Sequence, residues 1–368
     1  MIYREFLSKY GQLEIDEYLH LIGDKLQISK NQRESIQKNY EALVDYIENN
    51  NSLTKTYDKI IAYAQGSYAI DTVNKPLRND EFDIDIIVEF PLKVAVQGPK
   101  VFYDELLNVF SGESRYADIV EPKNRCVRIN YKSSNYYFDI LPVVPTNQEG
   151  IKHAPDKKLE KWVRTSPKRY RDWFNKKAAA LLLEYRELEP LQTDELPFQM
   201  KPPLKRAVQL VKRSRDIFFK DEEKYYTSSI IITTLFGKHY NSEKSPFLCI
   251  KNVVSILKQK YTTTFELKNP VDNNESFTEK WVTDIKYYSN FKSFIDFLYK
   301  KINEIENSQG INNKLLYLSE LFGDSTVDSV VSTYSEWNNR KNYSVDNKGK
   351  LSTSNNINTA KKNTFYGE

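Results

Sequence analysis

The sequence contains few of the features on which disulfide-stapled, zinc-scaffolded or membrane proteins depend. It has only two cysteines among 368 residues, which excludes a disulfide framework and a cysteine-rich zinc site. No window approaches 18 consecutive uncharged apolar residues, so we expect no membrane-spanning helix and no membrane partner. The opening residues, MIYREFLSKYGQ, lack the apolar stretch of a signal peptide. We therefore expect a cytoplasmic protein.

The charge balance is also modest. With 54 basic and 50 acidic residues, the formal net charge is +4, which does not indicate a protein that coats nucleic acid. Hydrophobic residues make up 40% of the chain, enough to exclude wholesale disorder. A length of 368 residues is typical of two domains or one fold with two lobes.

Hydrophobic periodicity divides the chain into unlike halves. It predicts a helix at 29–50 that begins with a capping box and packs across both lobes. The next segments are predicted strands at 59–65, 81–90, 125–131 and 136–144, a helix at 101–111, and a polar loop at 146–160. Helices are predicted at 168–188, 203–219, 228–238, 249–259 and 287–306. The predicted units are a helical segment (1–55), an α/β core (56–150), a helical lobe (151–337) and a flexible polar tail (338–368).

Two carboxylates interrupt an apolar run in the sequence FDIDIIVEF. Residues two apart on a strand project from one face, so Asp83 and Asp85 should point together. A third acid, Asp139, stands in another apolar stretch, YYFDILPVV. Adjacent carboxylates repel each other unless a cation lies between them, and Mg²⁺ accepts carboxylate, water and phosphate ligands. The sequence thus predicts a site for two Mg²⁺ ions, with Mn²⁺ as a substitute, on Asp83, Asp85 and Asp139.

A Gly-Ser pair precedes the acidic strand. Gly66 and Ser67 follow the strand predicted at 59–65, and glycine at such a turn lets the backbone approach a phosphate closely. The serine hydroxyl adds a donor for the anion. No G-x-x-x-x-G-K-[ST] sequence occurs, so the turn is not a P-loop. A phosphate turn followed by a D-x-D strand predicts a nucleoside triphosphate held on Mg²⁺.

These motifs resemble the core of the nucleotidyltransferases related to DNA polymerase beta. The helical half is similar, more narrowly, to the bacterial cGAS/DncV-like nucleotidyltransferases (CD-NTases, SMODS domain) of CBASS antiphage defence. That similarity lies in four segments: WVRTSPKRYRDWF (162–174), LKRAVQLVKRSRDIFF (204–219), SSIIITTLFGKHY (228–240) and NPVDNNESFTEKW (269–281). The resemblance covers roughly residues 28–300. It implies an α+β fold, in which a polymerase-beta-like lobe with a small mixed sheet and a C-terminal helical lobe enclose a cleft.

The resemblance also implies roles for individual residues. Gln65 would join Gly66 and Ser67 at the donor triphosphate, and Asp139 would also accept the proton of the attacking ribose hydroxyl. Lys212 and Ser229 would bind the same triphosphate, although a solvated basic face and an ordinary N-cap explain these two residues equally well. Ser166 would lie near a base edge, where a small side chain leaves room for a purine; a simple capping role for the helix that starts at Pro167 is the alternative.

The expected activity is therefore synthesis of a cyclic di- or trinucleotide second messenger from ATP, GTP or other nucleoside triphosphates. No DNA template is expected. The product would activate a downstream effector, and a regulatory protein partner is compatible with the family. Two alternatives stay open: a template-independent transferase that acts on RNA or protein ends, and an inactive nucleotide-binding relative. A requirement for a polymer acceptor would distinguish the first from a cyclic synthase.

Overall fold

In the computed structural model, two hydrophobic cores form, one against a β-sheet and one among helices. The structure describes residues 13–340, 344–345 and 351–352, except for 51–52, 54, 56, 58, 78–80, 92–97, 132–133, 159, 180–199 and 223. The last part of the helix predicted at 168–188 and most of the predicted tail lie outside the described residues. None of the described helices is both long and apolar enough to cross a lipid bilayer.

Seven strands of the described chain form one mixed sheet. They are β1 (Ile61–Gln65), β2 (Phe82–Glu89), β3 (Val120–Pro122), β4 (Val127–Tyr131), β5 (Tyr136–Pro145), β6 (Lys152–Asp156) and β7 (Lys161–Thr165). The order is β1-β2-β5-β4-β3, and β6 joins the end of β5 and pairs with β7. Only β2 and β5 run parallel. Two short ladders lie apart from this sheet: β8 (Lys268–Asn269) with β9 (Asp272–Ser276), and β10 (Ser344–Val345) with β11 (Leu351–Ser352).

The described helices precede, interrupt and follow the strands of the sheet along the chain. They are α1 (Leu13–Lys25), α2 (Lys30–Glu48), α3 (Gly66–Ala69), α4 (Pro99–Ser111), α5 (Pro167–Ala179), α6 (Pro203–Phe218), α7 (Ser229–His239), α8 (Pro246–Lys260), α9 (Glu279–Thr283), α10 (Lys286–Asn307), α11 (Ile311–Phe322) and α12 (Asp324–Arg340). The mixed sheet with a helical lobe confirms the predicted α+β class.

The N-terminal helices divide their packing between the two cores. The predicted capping box of α2 is confirmed: Ser29 accepts from the backbone of Gln32, and the Gln32 side chain accepts from the backbone of Ser29. Helix α2 was predicted to pack across both lobes, but its buried residues Ile36, Leu43 and Ile47 all belong to the sheet-side core. It is α1 that enters the helical core.

The polar segment at 146–160 differs from its prediction as a loop. Its second half contains β6, which pairs with the end of β5. The side chains of Ala154, Pro155 and Asp156 are buried there, although the segment is rich in charge. A short strand rich in polar residues has no apolar alternation strong enough to predict it. The domain boundary at residue 150 stays a prediction.

The loop between α3 and β2 forms hydrogen bonds to helix α6. The Asn74 amide donates to the Gln209 carbonyl at 2.8 Å, and the Gln209 amide donates to the Val73 carbonyl at 2.6 Å. The Lys212 ammonium donates to the Thr72 carbonyl at 2.9 Å. This loop therefore fixes α6 beside the acidic end of β2.

Candidate active site

The three predicted acids lie on one face of two paired strands. In the parallel pairing of β2 with β5, Asp85 is opposite Asp139 and Asp83 is opposite Tyr137. Register partners in a sheet project from the same face, and residues two apart do so as well. Asp139 is therefore beside Asp85 rather than on the far side of the sheet. Ile84, the residue between the two acids of β2, is fully buried in the sheet-side core.

The Gly-Ser turn meets the acidic strand at Asp85. Strand β1 ends at Gln65, which is the register partner of Asp85, and the chain then turns at Gly66 with φ +66°. A Cβ atom added to Gly66 would lie 1.8 Å from Oδ2 of Asp85. Glycine is required here for two reasons: the left-handed backbone and the contact with the carboxylate.

The environment of Asp85 disfavours its ionised form. Burial, and after it the neighbouring charges of Asp83 and Asp139, raise its pKa to about 8, against the opposing effect of Lys212 and Arg128. A buried carboxylate among other carboxylates is stabilised by a cation. This arrangement suits the binding of a positively charged group.

Asp139 is held by an arginine that the sequence did not single out. Arg128 is its register partner on β4 and donates from Nε to Oδ1 and from Nη2 to Oδ2, each at 2.8 Å. The guanidinium carbon also lies 3.5 Å from the centroid of the Tyr137 ring. The ion pair depends on the register of the β4–β5 hairpin, which makes Arg128 and Asp139 direct cross-strand partners.

Helix α6 brings basic side chains to the same place. Lys212 is buried. Its pKa is lowered to about 8, mainly by burial and also by the charge of Arg215. Arg215, one turn later, donates from Nη1 to the Ser229 hydroxyl at 2.7 Å. Arg215 was missed because it is one of several basic residues in KRSR, and its position became clear only when α7 was placed beside α6.

Two adjoining cavities show which predicted residues meet. The smaller, about 210 Å³, is lined by Gln65, Gly66, Ser67, Asp83, Asp85, Lys212 and Ser229, together with residues of α5 and α7. The larger, about 340 Å³, shares four of these residues (Ser67, Asp83, Lys212 and Ser229) and adds Arg215 and Tyr226. Neither cavity is lined by Asp139 or Ser166. The cleft thus gathers most of the predicted triphosphate and metal-binding residues.

Ser166 lies in a separate buried network. Its side chain is 1% exposed, and its hydroxyl donates to Oδ2 of Asp272 at 3.5 Å. Arg164 donates to the same carboxylate at 3.2 Å. The Ser166 carbonyl accepts from the backbone of Tyr170 in the first turn of α5. These contacts fit the capping alternative; the base-edge role stays a prediction.

Glu275 belongs to the same network and has a perturbed acidity. Its pKa is raised to about 7. Burial is the main cause and the charge of Asp272 adds to it, while the hydrogen bond with Asn269 lowers the pKa. A hydrogen bond from Thr165 and the charge of Arg125 act in the opposite direction. The folded protein therefore keeps a proton that an unfolded glutamate releases near its ordinary pKa of 4.5.

Glu275→Gln should remove a pH-dependent loss of stability. Between pH 4.5 and 7 the folded state binds more protons at Glu275 than the unfolded state, so the wild type loses stability as pH rises through this window. The variant should melt at nearly the same temperature as the wild type at pH 4 and roughly 2 °C higher at pH 7. Thermal denaturation across pH 4–8 measures the gap, and a gap that is constant with pH would contradict the assignment.

The side chains in the cleft fit a divalent cation in part. Asp83 and Asp85 offer oxygen ligands on one face, and the repulsion between their carboxylates, of which Asp85 is the more enclosed, favours a cation. Among the described residues, however, no group of three or more His, Cys, Asp or Glu side chains is placed to hold a metal ion. Asp139 faces Arg128 instead. The site of three acids stays a prediction, and the pair on β2 is its best supported part.

Comparison with known proteins identifies related chains. Residues 14–178 match the family described as Second Messenger Oligonucleotide or Dinucleotide Synthetase domain. A c-di-GMP synthase of Roseivirga ehrenbergii is 29% identical over 381 residues, which cover 98% of this chain and all of that protein.

Solved structures show the same fold. The Bradyrhizobium diazoefficiens CD-NTase CdnG, solved in complex with GTP, aligns with a TM-score of 0.70 and 21% identity over 88% of this chain and 99% of its own. The Escherichia coli CdnC of a CdnC:HORMA complex aligns with a TM-score of 0.60 and 16% identity, covering 88% and 97%. At these identities the likeness establishes the fold alone, a mixed-sheet lobe joined to a helical lobe.

Proposed function

We propose that the chain is a cyclic dinucleotide synthase, because residues 14–178 match the Second Messenger Oligonucleotide or Dinucleotide Synthetase domain. It joins two nucleoside triphosphates into a ring and releases two pyrophosphates. The observation that carries this proposal is the cleft in which the Gly66-Ser67 turn, the carboxylates of β2 and Lys212 line one cavity.

The substrates are purine nucleotides, with GTP preferred. The relative from Roseivirga ehrenbergii is a c-di-GMP synthase, and the fold neighbour from Bradyrhizobium diazoefficiens was solved with GTP. Both observations agree with the purine preference that the sequence suggested. The structure gives no separate support for Ser166 as the cause of this preference, since its hydroxyl is bonded to Asp272.

The residues of the cleft divide the reaction between them. The Gly66-Ser67 backbone and the Ser229 hydroxyl hold the donor triphosphate, and the Lys212 ammonium neutralises part of its charge. Asp83 and Asp85 would hold divalent cations, Mg²⁺ or Mn²⁺, which when bound stabilise charge on the transferring phosphate and the leaving pyrophosphate.

Asp139 takes the proton from the attacking ribose hydroxyl. The hydroxyl oxygen forms a bond to the α-phosphorus while the bond from that phosphorus to the pyrophosphate oxygen breaks. The position of Asp139 beside Asp85 on the same face supports this role. A second, equivalent displacement closes the ring.

The proposed setting is signalling in the cytoplasm during antiphage defence. The cyclic product would act on a separate effector, and no membrane or DNA template takes part. A regulatory protein partner has a parallel in the CdnC:HORMA complex.

Purified protein with nucleotides alone tests the proposal. With Mg²⁺ and all four nucleoside triphosphates, we expect pyrophosphate release and a cyclic product dominated by guanosine, identified by mass spectrometry and nuclease mapping. A product made chiefly of uridine or cytidine would remove the purine preference. A strict requirement for an RNA or protein acceptor would replace cyclic synthesis with the alternative transferase, and nucleotide binding without pyrophosphate release would indicate an inactive relative.

A further inference from the structure

The ion pair between Asp139 and Arg128 sets one of the three acids apart. Among the described residues, Asp139 alone of the three carries a salt bridge. The pair is largely shielded, with side-chain exposures of 16% for Asp139 and 20% for Arg128. Both carboxylate oxygens accept a hydrogen bond from the same guanidinium. This paired fork is among the strongest and most directional contacts that a carboxylate makes in proteins.

Arg128 is itself fixed from a second direction. Its guanidinium carbon lies 3.5 Å from the centroid of the Tyr137 ring, within range of a cation–π contact. Tyr137 is two residues before Asp139 on β5, so its ring projects from the same face of the sheet as the Asp139 carboxylate. The arginine is therefore held at the edge of the site by an acid and an aromatic ring together.

This arrangement keeps Asp139 from acting with the acids of β2. The two hydrogen bonds leave one lone pair on each oxygen, but the fork fixes the orientation of the carboxylate and balances its charge, so a cation must compete with Arg128 for it. In keeping with this, the described residues contain no three-acid group able to hold a metal ion, although the backbone register puts Asp139 next to Asp85.

We propose that Arg128 is a positioning residue that clamps Asp139 in the resting enzyme and competes with divalent cations for its carboxylate. This inference rests on the proposed function. The three acids can then bind cations together only after the Arg128–Asp139 ion pair opens. The stability of that ion pair therefore sets the cation concentration that the enzyme needs for activity. Arg128 does not itself contact the reacting atoms in this scheme.

Mn²⁺ binding to the full chain without nucleotide tests the clamp. The electron paramagnetic resonance signal of free Mn²⁺ gives the affinity of the wild type, Arg128→Gln, Arg128→Lys and Asp83→Asn. Arg128→Lys is the informative variant because it keeps the positive charge and loses the two-pronged contact. Arg115→Gln is the matched control, since this exposed arginine pairs with Glu113 rather than with an acid of the cleft.

Both Arg128 variants should bind Mn²⁺ roughly tenfold more tightly than the wild type, while Arg115→Gln should not differ from it. Unchanged or weaker binding in both variants would overturn the clamp. Tighter binding in Arg128→Gln alone would also overturn it, because removal of charge would then explain the effect.

Asp83→Asn distinguishes failure of the Arg128 clamp from failure of the proposed metal-dependent function. If this variant weakens Mn²⁺ binding while the Arg128 variants have no effect, the proposed function stands and the clamp fails. If Asp83→Asn leaves Mn²⁺ binding unchanged, the metal-dependent function fails, and the clamp fails with it.

Discussion

The double variant Asp83→Asn, Asp85→Asn should lose roughly a thousandfold or more of the cyclic dinucleotide synthesis while remaining folded. Asparagine keeps the shape of aspartate and removes the two charges that would hold divalent cations against the triphosphate. The free energy of unfolding should not fall, since the wild-type Asp85 carboxylate is buried and its pKa is raised to about 8 by burial and by its acidic neighbours. Neutralising it removes repulsion rather than a stabilising pair.

Product formation and thermal stability should be measured on the same preparations. Asp118→Asn is the matched control, because Asp118 is an exposed acid on the loop before β3 and should keep wild-type activity. Synthesis by the double variant within tenfold of the wild type would overturn the assignment of the cleft. If the double variant loses both activity and folding, the single variants test the catalytic role instead. Asp83→Asn should disturb the fold less than Asp85→Asn, because Asp83 is exposed.

The acidic strand shows which part of the site could be predicted from sequence. A strand has a period of two residues, so the D-x-D spacing alone places Asp83 and Asp85 on one face. The apolar residues between them fix that strand in the sheet, and Ile84 and Ile86 are indeed fully buried. The Gly-Ser turn could be predicted for the same kind of reason, since glycine at the end of a strand signals an unusual backbone.

The contacts that depend on helix packing or strand register could not be predicted in this way. Arg215 meets Ser229 only because α7 packs beside α6, and the spacing of these two residues does not differ from that of unrelated residues. Arg128 and Asp139 are on consecutive strands joined by a short turn, so their ion pair depends on the register of that hairpin rather than on the order of the strands. The strand at 152–156 was missed for a similar reason, because its burial comes from pairing with β5 and β7 rather than from apolar alternation.

Gly66→Ala should abolish most of the activity by a steric effect, without adding or removing a charge. The new Cβ would lie 1.8 Å from Oδ2 of Asp85, so the carboxylate or the turn must move. A displacement of about 1 Å in a catalytic site can cost a hundredfold in rate, and we expect a fall of at least roughly that size in kcat/KM. Because φ at Gly66 is +66°, alanine should also lower the free energy of unfolding by about 1–2 kcal/mol.

Gly98→Ala is the matched control for this variant. Gly98 precedes helix α4 with φ −65°, and an added Cβ has no atom within 4 Å. This variant should keep wild-type kcat/KM with only a small change in stability. If Gly66→Ala retained normal turnover, the turn would not contact the substrate or the carboxylate as proposed. Normal Mn²⁺ binding with lost turnover would instead locate the damage at the triphosphate, because the acids of β2 would still be in place to bind the cation.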